Sequence, residues 1–125
     1  MLDTHALIWW CSEPQKLSPT AFAAIEDSEN IIFASAISAM EIATKYRIGK
    51  LPIARALAEN FSQEIARENF LPLPLTAEQG QRGGNLPIDH KDPFDRLLIA
   101  QTQMEQMKLV SNEERFDTFG VIRLW

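Results

Sequence analysis

Four carboxylates, Asp3, Glu41, Asp95 and Glu113, stand far apart in the sequence, each at or just beyond the end of an apolar segment. If those segments are neighbouring parallel strands and the helices that follow them, the four acids meet at one edge of one sheet. Carboxylates brought that close repel one another, and they ionise together near neutral pH only with a cation between them. A divalent metal is the obvious counter-charge. Oxygen donors suit hard ions, Mg²⁺ or Mn²⁺, better than softer ones. One cysteine (Cys11) with two histidines (His5, His90) provides neither an internal disulfide nor a four-ligand structural zinc site.

The neighbours of these acids carry second readings. Asp92 precedes Pro93 and has the type and place of a helix N-cap, with Pro at the first helical position. Asp95, three residues on, also favours a helix start. The residues after it are an almost unbroken apolar helix, which sets its carboxylate at the buried mouth of the sheet. Such a helix start offers free N–H groups to an anion. Thr4 and Ser111 sit beside site acids, where a hydroxyl either orients a carboxylate or merely caps a strand end. Lys45, Arg47, Lys50, Lys91 and Arg96 flank the two middle acid segments, as positive charge for a phosphate or as ordinary solvated surface. His5 and His90 invite a general-base reading, yet a lone histidine is more often a residue with its hydrogen bonds satisfied. Trp9, Trp10 and Phe33 read as core or interface before base stacking.

The elements that must position these residues follow from periodicity. Met1-Leu2 is a very short first strand ending at Asp3, with a helix from His5 to Cys11. Ser18-Pro19 opens a helix to about Asp27, and Ile31 to Ala34 is an apolar run of strand length, as for a strand buried on both faces. Ser38 is expected to cap the next helix, with Glu41 in its first turn and Gly49 at its C-terminal end. Ala54 to about Asn69 is helical, with Leu57, Ala58, Phe61 and Ile65 on one face. Phe70 to Leu73 is a strand made short or marginal by Pro72 and Pro74. Thr76 starts a helix that its glycines should weaken beyond Arg82. Asp92 opens a long helix to about Gln106. The strand Lys108 to Ser111, a turn or short helix over Glu113 to Phe116, and a strand Val121 to Trp125 complete the chain.

Strands alternating with helices predict an α/β fold, three layers α/β/α around a central, mainly parallel sheet of four to five strands. Ligands of such sheets bind at the carboxyl ends of the strands, where three of the four acids fall. The 125 residues, 46% of them hydrophobic, match a single domain with one core. No apolar run approaches the roughly 20 residues of a membrane span. An acid stands at position 3, where a signal peptide would be basic, so the expected location is the cytoplasm. The net charge of -5 opposes nucleic-acid binding by bulk electrostatics, but a dication-loaded acidic site still presents positive charge to a phosphate.

Four stretches in order carry a resemblance: Leu2-Asp3-Thr4-His5-Ala6-Leu7-Ile8-Trp9-Trp10; Ser35 to Leu51 with Met40-Glu41-Ile42-Ala43-Thr44-Lys45 and Gly49-Lys50-Leu51; His90 to Gln101; and Leu109-Val110-Ser111-Asn112-Glu113. Together with the ending Phe119-Gly120-Val121 to Trp125, they resemble the PIN-domain ribonucleases, specifically toxins of the VapC type from bacterial toxin-antitoxin pairs. The resemblance spans essentially the whole chain. It implies a PIN-like fold and metal-site acids at Asp3, Glu41 and Asp95, with Glu113 at a fourth position where the family usually has Asp. It implies an endoribonuclease that leaves a 5′-phosphate. The chemistry expected of these acids is hydrolysis with one or two Mg²⁺ or Mn²⁺ ions held by Asp3, Asp95 and Glu113, with Glu41 ligating directly or holding a metal-bound water. A homodimer and a cognate antitoxin protein whose segment covers the site are implied too. Two other readings compete. A phosphoacceptor signalling domain needs an Asp ending the third strand and a Lys after the fifth, and neither Phe70 to Leu75 nor Leu124-Trp125 supplies them. An inactive PIN-fold module that binds a partner protein without turnover remains open, because of Glu113 and the short start.

Overall fold

Pairs of helices separate most of the short strands in the computed structural model, which describes residues 1–125. The helices are α1 (Thr4–Ser12), α2 (Pro19–Glu26), α3 (Ala36–Arg47), α4 (Arg55–Arg67), α5 (Ala77–Asn85) and α6 (Pro93–Met104). The strands are β1 (Phe33–Ser35), β2 (Leu71–Leu73), β3 (Lys108–Val110) and β4 (Ile122–Leu124). Turns of 3-10 helix cover Pro14–Lys16, Pro52–Ala54 and Glu114–Phe119.

β1 pairs in parallel with β2, Ala34 opposite Pro72, and β3 pairs in parallel with β4, Leu109 opposite Arg123. Leu2 makes single parallel bridges to Ala34 and to Val110, so the first residues lie between the two pairs. They are hydrogen-bonded on both sides. Leu2 N–H donates to Phe33 O at 3.0 Å, Asp3 N–H to Val110 O at 3.0 Å, and Val110 N–H to Met1 O at 2.9 Å. The pairing stops there because α1 begins at Thr4, which leaves Asp3 at the carboxyl end of this shortest segment.

Successive residues of an extended chain point to opposite faces, and here both faces are apolar. Leu2, Ala34 and Val110 join Ala6, Leu7, Ile42, Leu57 and Ile65 in one buried cluster. Met1, Leu73 and Leu109 join Ile37, Leu98, Ile99 and Phe116 in another. Burial on both sides explains why these strands read as continuous apolar runs rather than alternating ones.

Three local expectations are corrected. Ser35, not Ser38, caps α3: its Oγ accepts from Ile37 N–H at 3.0 Å, and its hydroxyl donates to Gln101 Oε1 at 2.6 Å. Ser38 lies buried inside the helix and Glu41 falls in the second turn, so the strand that precedes is Phe33–Ser35 rather than Ile31 to Ala34. The other end of α3 is as read: Lys50 N–H reaches Lys45 O, Gly49 N–H reaches Tyr46 O, and Gly49 has φ +78°, the left-handed closure that favours glycine. Second, α4 is broken by a non-helical Asn60 (φ -139°, ψ 44°), which periodicity did not signal. Third, α5 runs on through Gly83 and Gly84 to Asn85. Its glycines do not end it, because Gly83 packs on α6: a Cβ there would stand 2.9 Å from Leu97 Cδ2 and 3.3 Å from Arg96 O. No helix is long and apolar enough to cross a membrane.

Candidate functional site

Asp3 leaves the Leu2 bridge in extended conformation and caps α1, with Oδ1 accepting from Ala6 N–H at 2.6 Å. It is only 4% exposed. Burial pushes its pKa up from 3.8, opposed by the hydrogen bonds from Ala6 and Ser111 and reinforced by the charge of Asp95. Asp95 sits in the first turn of α6, half-buried, with Oδ2 at 2.7 Å from His90 Nε2. Its pKa is also raised, first by burial and then by the charges of Asp92 and Glu41, against the pull of the His90 hydrogen bond. Mutual repulsion of this kind requires proximity. Carboxylates from the first residues, α3 and α6 thus act on one another electrostatically.

Asp3, Glu41, Asp95 and Glu113 line one cleft of about 80 Å³, together with Thr4, His5, Lys45 and Asp92. Leu98 and Phe116 form its floor against the core. Glu41 is nearly buried and fully engaged: Thr4 Oγ1 donates to Oε2 at 2.5 Å, and the Lys45 ammonium holds Oε1. Ser38 Oγ lies 3.1 Å from Thr4 Oγ1 and steadies the hydroxyl. Glu113, exposed, is delivered just before the 3-10 turn by its own N–H donating to Ser111 Oγ at 3.1 Å. Asp92 is the expected N-cap, Oδ1 accepting from Phe94 N–H at 2.8 Å and Asp95 N–H at 3.3 Å, and it also faces the cleft.

These side chains line walls, and no three Asp, Glu, His or Cys side chains are drawn together into a ready-made metal cage. The donor set is nonetheless of one chemistry. Carboxylate oxygens dominate the polar lining, and burial, the main cause of the raised pKa values of Asp3 and Asp95, disfavours their charged forms unless a hard cation accompanies them. The volume suffices for an ion with several waters, since a water needs roughly 10–15 Å³ by this measure.

Arg96 is placed elsewhere. Its guanidinium does not line the cleft but donates to five carbonyls, those of Gly83, Gly84, Leu86, Ile88 and His90. The segment between α5 and α6 has few backbone partners of its own, and one planar fork of five N–H donors satisfies it. Arg47, Lys50 and Lys91 do not line the cleft either. Two further residues act directly on the acids. His90 stacks on Phe119 (centroids 5.5 Å apart, planes at 18°) and so is fixed against Asp95. Lys45 was visible as the i+4 partner of Glu41, a spacing at which helical side chains meet.

Only Asp3 and Glu113 follow strands, whereas Glu41 and Asp95 stand in the N-terminal halves of α3 and α6, so the expectation of three acids at strand ends is corrected to two. The PIN domain family matches residues 1–121 of this α/β chain. The chain belongs to that family. Within it, the chain is of the VapC type: it is 31% identical over 116 residues to Ribonuclease VapC22 of Mycobacterium tuberculosis (strain ATCC 25618 / H37Rv), covering 92% of this chain and 87% of that protein. No solved structure matches it.

Proposed function

We propose that this protein is a metal-dependent endoribonuclease, the toxin of a toxin-antitoxin pair, hydrolysing RNA phosphodiesters with Mg²⁺ or Mn²⁺. The observation that carries the reading is the cleft where Asp3, Glu41, Asp95 and Glu113 converge, with Asp3 and Asp95 held above their ordinary pKa. The likeness to a protein named a ribonuclease supports it. We read the whole chain as one domain, and β2, β1, Leu2, β3 and β4 as one five-stranded sheet between two helical layers.

Asp3 and Asp95 would hold the ion, with Glu113 at the exposed lip and Glu41 behind. A divalent ion bound there lowers the pKa of a water and neutralises charge on a phosphate. The chain's own residues do the positioning. Ala6 N–H and Ser111 fix the Asp3 carboxylate, His90 fixes Asp95, and Thr4 with Lys45 fixes Glu41, so the acids need little reorganisation when charge develops. RNA is the substrate, an antitoxin protein covers the cleft, and the working form is a homodimer in the cytoplasm.

The test is cleavage of total RNA by the purified chain with Mn²⁺ and with EDTA. Cleavage that needs the ion is expected. A second reading, a PIN-fold module that binds a partner without turnover, is favoured by one observation, that Lys45 already neutralises Glu41. RNA left intact at saturating Mn²⁺ would select it.

A further inference from the structure

Glu41 is the one acid of the cleft that the chain neutralises with a permanent charge. Its side chain is 6% exposed, and the Lys45 ammonium and the Thr4 hydroxyl take one oxygen each. Asp95 meets only the His90 ring, while Asp3 and Glu113 enter no ion pair. Lys45 stands one helical turn from Glu41 and is 29% exposed, with its ammonium on the cleft wall. Tethered there, it is never diluted away, whereas a metal ion must come from solution. For Glu41 to join a metal cage, it would have to release that ammonium into a space that already holds a dication.

We infer that Lys45 is the built-in cation of this cleft. Its ammonium takes the place of a second divalent ion, so the chain holds one ion at Asp3 and Asp95 and keeps Glu41 outside the cage. The assignment rests on the metal-dependent reading above and names its stoichiometry. Lys45 is a positioning residue in this account, acting through Glu41 and through its own charge.

Mn²⁺ binding, counted from the paramagnetic resonance of the free ion without RNA, tests it on the full chain. The wild type is expected to take one equivalent. Lys45→Met keeps the stem and removes the charge, and should take a second equivalent or bind the first at least about tenfold more tightly, the scale expected for removing one positive charge from the wall of a solvated cleft. The double variant Glu41→Gln/Lys45→Met leaves no unpaired buried charge, and so serves even if the single variant fails to fold. It should return to one equivalent at close to wild-type affinity. Two equivalents on the wild type, unchanged binding by Lys45→Met, or loss of the ion from the double variant overturns the assignment. A wild type that binds no Mn²⁺ overturns the metal-dependent reading and this assignment together.

Discussion

Three glycines of α5 give predictions of opposite sign. Alanine is favoured over glycine inside a helix by roughly 0.5–1 kcal/mol. At Gly80 and Gly84 an added Cβ meets nothing within 4 Å, so Gly80→Ala and Gly84→Ala should each stabilise by about that amount. At Gly83 the same methyl would stand 2.9 Å from Leu97 Cδ2, and 3.3 Å from both Arg96 O and Leu97 Cα. The first contact is a side-chain end that can turn away. The other two are α6 backbone, and relief requires moving the helix that carries Asp95. Overpacking of this kind costs about 1–3 kcal/mol, which exceeds the propensity gain. Gly83→Ala should therefore fall about 2 kcal/mol below the other two variants, roughly 8 °C in Tm for a chain of this size. Thermal melts of the three variants beside the wild type measure it. A Gly83→Ala protein as stable as the Gly84→Ala one would refute the close packing of α5 on α6.

The N-cap at Asp92 accepts two backbone N–H bonds, so Asp92→Ala should cost about 1 kcal/mol in denaturant titration while Asp92→Asn, an equal capper, should not. Thr4→Val removes the hydroxyl bound to a nearly buried carboxylate at 2.5 Å, and should cost about 1.5–3 kcal/mol, with Thr4→Ser restoring most of it. The raised pKa values of Asp3 and Asp95 mean that the folded chain binds protons more tightly than the unfolded one. Their contribution to stability is thus greatest in acid and is lost as pH rises through 3.8 toward the raised folded values. In EDTA, Asp3→Asn should accordingly match the wild type in Tm near about pH 4 and exceed it at neutral pH. A gap that narrows with rising pH would show that the Asp3 charge is not a burden on the fold. Both Asp3→Asn and Asp95→Asn should abolish Mn²⁺-dependent RNA cleavage with folding retained, and full cleavage by either variant in EDTA would refute the metal mechanism.

The sequence carried the order of elements and the identity of the cleft acids because both are local signals. Ser18-Pro19 and Asp92-Pro93 start helices where read, Gly49 ends one, and Asp3, Glu41, Asp95 and Glu113 line one cleft. Tertiary contacts decide the features that local signals do not carry. Ser35 and Ser38 are equally good caps in isolation. Ser35 takes the role in a structure where Gln101, 66 residues away, also accepts its hydroxyl proton. Gly83 reads as a helix breaker, yet it is the small residue that a close helix pair needs. Arg96 reads as positive charge for a phosphate or as solvated surface, but α6 turns it toward the carbonyls of the segment after α5. The engagement of Glu41 by Lys45 was visible as spacing alone. That it matters depends on burial, which spacing does not reveal.

The position of Mn²⁺ in crystals of the chain, read from its anomalous scattering, bears most directly on whether the separated acids form one cation site. The account predicts a single peak in the cleft, in contact with side-chain oxygens of both Asp3 and Asp95, with Lys45 still on Glu41. Mn²⁺ at saturating concentration found only on other surfaces of the molecule would contradict it.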